Sequence, residues 1–154
     1  MGSARMKYLS LIGFIVLVLG GGTLIGTGNM PGPWYEGLAK PFFNPPNWLF
    51  GPAWTVLYIL IGIAGWLVWQ RDRSSAPMMI WWVQLALNFA WSPVFFTAQQ
   101  IGAALVVVAA MLVAILAFIF AAWPGDRAAA WLFVPYAMWV AFATLLNASI
   151  WVLN

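Results

Sequence analysis

Residues 34–58 read WYEGLAKPFFNPPNWLFGPAWTVLY. This stretch holds eight aromatic side chains, four of the chain's ten prolines, and Glu36 and Lys40, the only charges between two long apolar runs. Proline fixes its own backbone angle and restricts the residue before it. A segment this stiff and this aromatic reads as a shaped lid over residues 26–51, leading into a helix, and a lid implies something beneath it.

Working outward, residues 8–25 carry no charge and are almost wholly apolar or glycine. Eighteen residues at about 1.5 Å each come close to the hydrocarbon thickness of a bilayer. Arg5 and Lys7 ahead of this run also fit a secretory leader, but no A-x-A-like cleavage site follows. Downstream, apolar stretches over about 52–69, 77–98, 101–123 and 128–153 are separated by Gln70 to Ser75, by Gln99-Gln100 and by Pro124-Gly125-Asp126-Arg127. Pro52 is placed in the first turn of the second span, where its missing N–H would have no partner anyway. The expected fold is an all-α membrane protein: a single bundle of five transmembrane helices in one domain over 1–154, with a long structured first loop.

Composition agrees, because 65% of residues are hydrophobic and 6% are charged, against about 45–50% and about 25% in soluble domains. Six basic and three acidic residues, scattered along the chain, form no stripe for nucleic acid. Arg5, Lys7, Arg71, Arg73 and Arg127 fall on one side of the five spans and Lys40 alone on the other. The positive-inside rule then puts the N-terminus in the cytoplasm and the first loop and C-terminus on the opposite face of a bacterial cell membrane. The short links favour antiparallel neighbours. Gly22 with Gly26, and Ala86 with Ala90, have the spacing that lets helices approach closely, either within the bundle or at a homodimer seam.

Cysteine and histidine are absent, which removes disulfides, thiolate chemistry, zinc sites and the usual axial ligands of haem. No required cofactor and no metal site are expected. No span contains an ionisable Asp, Glu, Lys or Arg, which argues against ion pumping or proton relay. The three acids, Glu36, Asp72 and Asp126, are unpaired in sequence, so conventional hydrolysis is not indicated. Glu36 and Lys40 stand at i, i+4 and would form one exposed ion pair if that segment were helical.

What remains is neutral. Gln84, Asn88 and Ser92 recur at i, i+4 and i+8, giving one polar stripe on the third span with Trp81, Trp91 and Phe95 beside it. That stripe serves either as interhelical glue or as the polar spot of an apolar ligand pocket. Trp54, Tyr58 and Gly62 share a face of the second span, and Pro135, Trp139, Phe142, Ala143 and Leu146 a face of the fifth. With Trp34, Tyr35, Phe42, Phe43 and Trp48 of the lid, these rings would line a cavity for a flat hydrophobic guest such as a macrocycle, a sterol or an aromatic drug. A porphyrin held here would be gripped by stacking, with comparable affinity for metal-free and iron-loaded forms.

Four motifs in order resemble the TspO/MBR family, the tryptophan-rich sensory proteins and the mitochondrial translocator or peripheral benzodiazepine receptor. Trp34-Tyr35-x-x-Leu38-x-Lys40-Pro41 with Pro45-Pro46-x-Trp48 looks like its first loop, and Ala53-Trp54-Thr55-x-Leu57-Tyr58 like the start of its second helix. Gln84-Leu85-x-Leu87-Asn88-x-x-Trp91-x-Pro93-x-Phe95-Phe96 resembles the third helix, and Pro135-Tyr136-x-x-Trp139-x-x-Phe142-Ala143-x-x-Leu146-Asn147 the fifth.

The resemblance implies a cavity under the first loop that binds porphyrins such as protoporphyrin IX and synthetic benzodiazepine-site ligands, and it implies dimers. It assigns Trp34, Trp54 and Trp139 to light-dependent porphyrin breakdown, and Asn88 and Ala143 to the pocket wall. Phe42 stands where some bacterial relatives have another Trp. The C-terminal cholesterol motif of animal members is missing, since Ala148 and Val152 occupy its places and no basic residue follows Arg127. That makes sterol a secondary ligand and favours a bacterial member. Three functions follow as expectations: a porphyrin-binding sensor or regulator, a porphyrin or sterol transporter, and a photo-oxidative porphyrin-degrading enzyme.

Overall fold

The computed structural model describes residues 2–154, with side chains from residue 4 onward. Among the described residues, five helices are long and apolar enough to cross a membrane. The first, α1, runs as Gly2–Ile15, widens into a π turn over Val16–Gly20 and continues as Gly21–Gly28. Helix α2 is Asn47–Arg71 and α3 is Ala76–Ser92, extended by a second π turn over Pro93–Thr97. Helices α4 and α5 are Ile101–Ala122 and Arg127–Leu153. The chain is an all-α, multi-pass membrane protein.

Helix α2 begins at Asn47, five residues before the expected Pro52, so the first loop is shorter than 26–51 and Pro52 stands inside the helix. Pro46 precedes the first turn with extended angles (φ −64°, ψ 148°) and starts the helix there. Within the loop, Pro33–Glu36 forms a single helical turn.

Local chemistry explains the other ends. Ser75 Oγ accepts from Met78 N at 3.3 Å and caps α3. Asp126 Oδ1 accepts from Ala129 N at 3.1 Å and caps α5, while its other oxygen meets Arg71 Nε at 3.1 Å and ties the end of α2 to the start of α5. Between α3 and α4 the chain reverses through Gln99, whose φ of 57° lies in the left-handed region. In α3 the ring of Pro93 cannot donate to the carbonyl four residues back, and the helix widens at that point into its π turn.

Around the bundle the helices follow the order α1, α2, α5, α4, α3, with α3 closing back on α1. The core is a column of buried apolar side chains from Phe14 and Val18 through Ile61, Trp81, Met111 and Phe133 to Val140. At the basic end Lys7 lies over Trp66, Arg73 over Trp69 and Arg127 over Trp123, with cation-to-ring distances of 5.7, 4.4 and 5.1 Å. This belt of cations on indoles is the arrangement expected at a membrane–water boundary.

A tight helix approach is at Gly65, where an added Cβ would stand 2.4 Å from Trp81 Cε2. Trp81 is fully buried and its Nε1 donates to Ile61 O at 3.0 Å, so the indole has nowhere to retreat. Gly65→Ala is therefore expected to destabilise the bundle by about 1–3 kcal/mol, whereas Gly13→Ala, which meets nothing within 4 Å, leaves it unchanged or slightly firmer. Denaturant unfolding in mixed micelles checks this, and equal midpoints for the two variants would contradict it.

Candidate ligand cavity

Helices α1 and α2 are in contact where Phe14 and Ile15 meet Gly62, and again where Gly22 sits under the ring of Tyr58. Beyond that point Gly26 and Gly51 have open space around them, and Thr23, Thr27 and Thr55 are exposed. Between the helix ends and the lid lies a cavity of about 450 Å³, within the range of about 300–1,000 Å³ typical of small-molecule sites. Its aromatic wall comprises Tyr35, Trp48, Phe50, Trp54, Tyr58, Trp91, Phe95 and Phe96, and no charged side chain among the described residues lines it.

Each element contributes by a definite route. The helical turn Pro33–Glu36 turns Tyr35 inward, where it packs edge-on against Phe95 and Phe96 at 6.1 and 5.4 Å between ring centres. Burial pushes the Tyr35 phenol above its ordinary pKa, partly offset by the Asn44 side chain, so it stays neutral. The π turn after Ser92 carries Phe95, which tilts against Trp91 at 5.1 Å. Trp91 Nε1 donates to Asn147 Oδ1 at 3.0 Å, and Asn147 Nδ2 donates to Ile101 O at 3.0 Å, joining α3, α5 and α4 behind the cavity.

The lid is fastened at two points. Asn154 reads both backbone groups of Ala39, accepting from its N–H at 3.0 Å and donating to its C=O at 2.9 Å. Thr97 hydrogen-bonds Asn29, closing the end of α1 onto the end of α3. Lys40 forms no ion pair with Glu36: the helical turn ends at Glu36, and Lys40 Nζ instead donates to the backbone oxygens of Glu36 and Leu38 at 3.3 and 3.2 Å. Its ammonium stands 4.5 Å from the centre of the Tyr35 ring.

Of the residues singled out from sequence, Tyr35, Trp48, Trp54, Tyr58, Asn88, Trp91, Phe95, Ala143 and Leu146 line this cavity, while Trp34, Gln84, Trp139 and Phe142 do not. Trp34 shares the short helical turn with Tyr35, so only one of the two faces inward, and it backs Phe95 edge-on at 5.9 Å. Gln84 sits one helical turn deeper than Asn88 and is fully buried, with its amide spent on Trp81 O and Tyr136. On α5 the cavity is faced by Ala143, Leu146, Asn147 and Ile150, which rotates Trp139 and Phe142 away toward α2 and the lid. Trp139 therefore stands behind Trp54, perpendicular to it at 6.4 Å, and edge-on to Phe50 at 5.8 Å. Phe42 is 99% exposed and takes no part.

Several lining residues escaped the sequence reading. Asn147 closes the fifth-helix motif and was open to notice as a polar residue within an apolar run. Gly22 and Gly26 of α1 carry a close-packing spacing in sequence, and nothing in that spacing, or in Thr23 and Thr27 beside it, marks a cavity. Met111 comes from α4, which has no polar stripe at all.

Among the described residues, one buried side-chain donor has no partner. Trp139 Nε1 is enclosed without an acceptor, unlike Trp81 Nε1, which is bonded to Ile61 O. An unmade buried hydrogen bond costs about 1–3 kcal/mol. Trp139→Phe is thus expected to leave unfolding stability level or raised, and Trp81→Phe to lower it by about 1–3 kcal/mol. Comparison of the two midpoints tests the pairing, and a larger loss for Trp139→Phe would contradict it.

Comparison with known proteins places these features in context. The profile described as TspO/MBR family matches residues 14–152. The chain is 40% identical over 153 residues to the Tryptophan-rich protein TspO of Archaeoglobus fulgidus, covering 97% of this chain and 99% of that protein. It is 41% identical to the Translocator protein of Homo sapiens, over 77% of this chain and 73% of that one. Against the Tryptophan-rich sensory protein of Cereibacter sphaeroides it is 41% identical over 80% of this chain and 78% of the relative.

Proposed function

The chain belongs to the TspO/MBR family, and from that premise we propose that it binds tetrapyrroles such as protoporphyrin IX in the cavity under its first loop, as a membrane sensor or regulator of these molecules. The observation that carries this reading is the aromatic wall of the cavity, with Trp54, Tyr58, Trp91 and Phe95 around a space free of charged side chains. Such a surface holds a flat apolar macrocycle by offset stacking and dispersion, with neutral amides and hydroxyls at its edge. Synthetic aromatic ligands suit the same wall. Sterol is a weaker expectation.

A photochemical role has one specific support. Trp54 forms part of the cavity wall, with Trp139 6.4 Å and Tyr136 6.3 Å behind it, both perpendicular. An excited porphyrin against Trp54 would take an electron from that indole, and Trp139 and Tyr136 are placed to share the resulting hole. Trp34 has no such position, since Phe95 lies between it and the cavity. Of the three tryptophans, Trp54 is the direct donor in this reading, Trp139 a second step, and Trp34 a bystander.

Titration with protoporphyrin IX in the dark is expected to give saturable tryptophan quenching. Trp54→Ala should weaken binding about tenfold, roughly 1.4 kcal/mol, and Trp131→Ala, on an exposed face of α5, should not change it. Equal effects of the two substitutions would overturn the assignment of the cavity. Under illumination, porphyrin loss that survives Trp54→Phe would remove the photochemical reading and leave binding in place.

The same reading orients the protein in a bacterial cell membrane. The end bearing Lys7, Arg71, Arg73 and Arg127 faces the cytoplasm, and the lid faces outward. A cysteine placed at Glu36, which is exposed, should react with an impermeant thiol reagent in intact cells. Labelling only after the cells are opened would reverse the orientation.

A further inference from the structure

Helix α1 buries a row of residues spaced by four, Phe14, Val18 and Gly22, and the third of these has no side chain. A row of fours drifts around an ordinary helix of 3.6 residues per turn. The wider turn over Val16–Gly20 offsets that drift and keeps the row against α2. Gly22 therefore comes to rest under the Tyr58 ring. A Cβ placed on it would stand 2.4 Å from Tyr58 Cζ, 2.5 Å from Cε2 and 2.9 Å from Cε1. The far end of that ring lies on bare backbone.

Gly22 and Tyr58 both line the cavity. Beside Tyr58 stands Trp54, tilted by 30° at 5.4 Å, with Trp139 and Tyr136 behind it in turn. Ordinary contact begins at 3.4 Å, so any side chain at position 22 drives the end of the Tyr58 ring off α1 by about 1 Å. Trp54 occupies one side of the ring, and the free space that receives the displaced end is the cavity. Gly21 makes an instructive contrast. A Cβ there would also crowd a ring, at 2.9 Å from Phe89 Cζ, but neither Gly21 nor Phe89 lines the cavity.

We infer that Gly22 is a positioning residue: by leaving room for the Tyr58 ring to lie back on α1, it sets the width of the cavity and so admits a broad, rigid macrocycle. The inference rests on the reading of the cavity as a tetrapyrrole site and adds the residue that fixes how wide a guest it accepts. Glycine is required here by the ring above it and not by backbone angle, since the chain is helical through this point. A rigid guest stacked against ring faces cannot yield when one face moves in. The loss then falls on binding.

Protoporphyrin IX titrated into the purified full chain tests this, with Gly21→Ala as the control for crowding of α1. Gly22→Ala should weaken porphyrin binding about tenfold, whereas Gly21→Ala should stay within about twofold of the wild-type chain. Tyr58→Leu ends before the ring atoms that meet Gly22, so Gly22→Ala should add no further loss in that background. Tyr58→Phe keeps Cζ and both Cε atoms, so it should not relieve Gly22→Ala. A merely structural role for Gly22 in helix packing would give the same loss in all three backgrounds. Without ligand, the Trp54 indole N–H resonance should shift in Gly22→Ala, because the ring beside it has moved, and should stay in place in Gly21→Ala.

An unmoved Trp54 resonance in Gly22→Ala would overturn the inference, as would a Gly22→Ala loss that persists undiminished with Tyr58→Leu. If Tyr58→Leu alone abolishes porphyrin binding, the resonance decides: Gly22→Ala should leave Trp54 in place in that background, and a persisting shift is fatal. If Gly22→Ala does not fold, its combination with Tyr58→Leu should fold and behave as Tyr58→Leu does, and failure to fold there is equally fatal. The two claims separate on the same preparations. Absence of saturable porphyrin binding by the wild-type chain, with the Trp54 shift present in Gly22→Ala, removes the tetrapyrrole reading alone. Equal porphyrin affinity of the wild-type chain and Gly22→Ala removes the role of Gly22 alone.

Discussion

Inside a bilayer no water is at hand to satisfy a polar group, so each amide, hydroxyl and indole N–H on a spanning helix must find its partner within the bundle. In this chain helix α3 organises those partners. Trp81 donates to α2 at Ile61 O, Gln84 and Asn88 meet α5 at Tyr136, and Trp91 meets α5 at Asn147, which in turn reaches α4 at Ile101 O. One polar stripe thus sets the depth and rotation of three neighbouring helices. Close packing at Gly65, under the Trp81 ring, fits that stripe against α2. Where the stripe ends, at Asn88 and Trp91, the helices part and the cavity begins.

Charge and lid complete this plan from the two ends. The cations at one end settle on indole faces, and Asp126 both caps α5 and holds Arg71. Arg71 is largely exposed, so that ion pair adds little by itself. At the opposite end the lid contributes Tyr35 to the cavity wall and is pinned through Ala39 and Asn154. The cavity lining is consequently free of charged side chains among the described residues, and ring faces dominate its wall.

Much of the fold was legible because uncharged runs of bilayer length admit few alternatives. Helix ends were less so. Pro52 suggested a first turn, yet Pro46 starts the helix and Pro52 is accommodated a turn later, since proline marks a boundary without saying which side of it the helix lies on. Within the site, periodicity located the right helices but not the depth of the cavity. Gln84 and Asn88 lie on one stripe, and only tertiary packing shows that the cavity stops between them. Trp139 and Trp54 likewise share the pattern of a pocket wall, and the rotation of α5 puts one behind the other. The glycine and threonine face of α1 carried only the packing signal of Gly22 and Gly26, because a residue that lines a cavity by leaving space looks the same in sequence as one that lets two helices touch.

The central claim is that a tetrapyrrole sits against Trp54 and Trp91 under the lid. The most direct test observes the indole N–H resonances of the twelve tryptophans while protoporphyrin IX is added to the labelled protein, because a stacked macrocycle shifts strongly only the rings it touches. The account predicts large, saturable shifts for Trp54 and Trp91 with Trp66, Trp123 and Trp131 unmoved. Shifts confined to the indoles of the basic belt, or spread evenly over all of them, would contradict it.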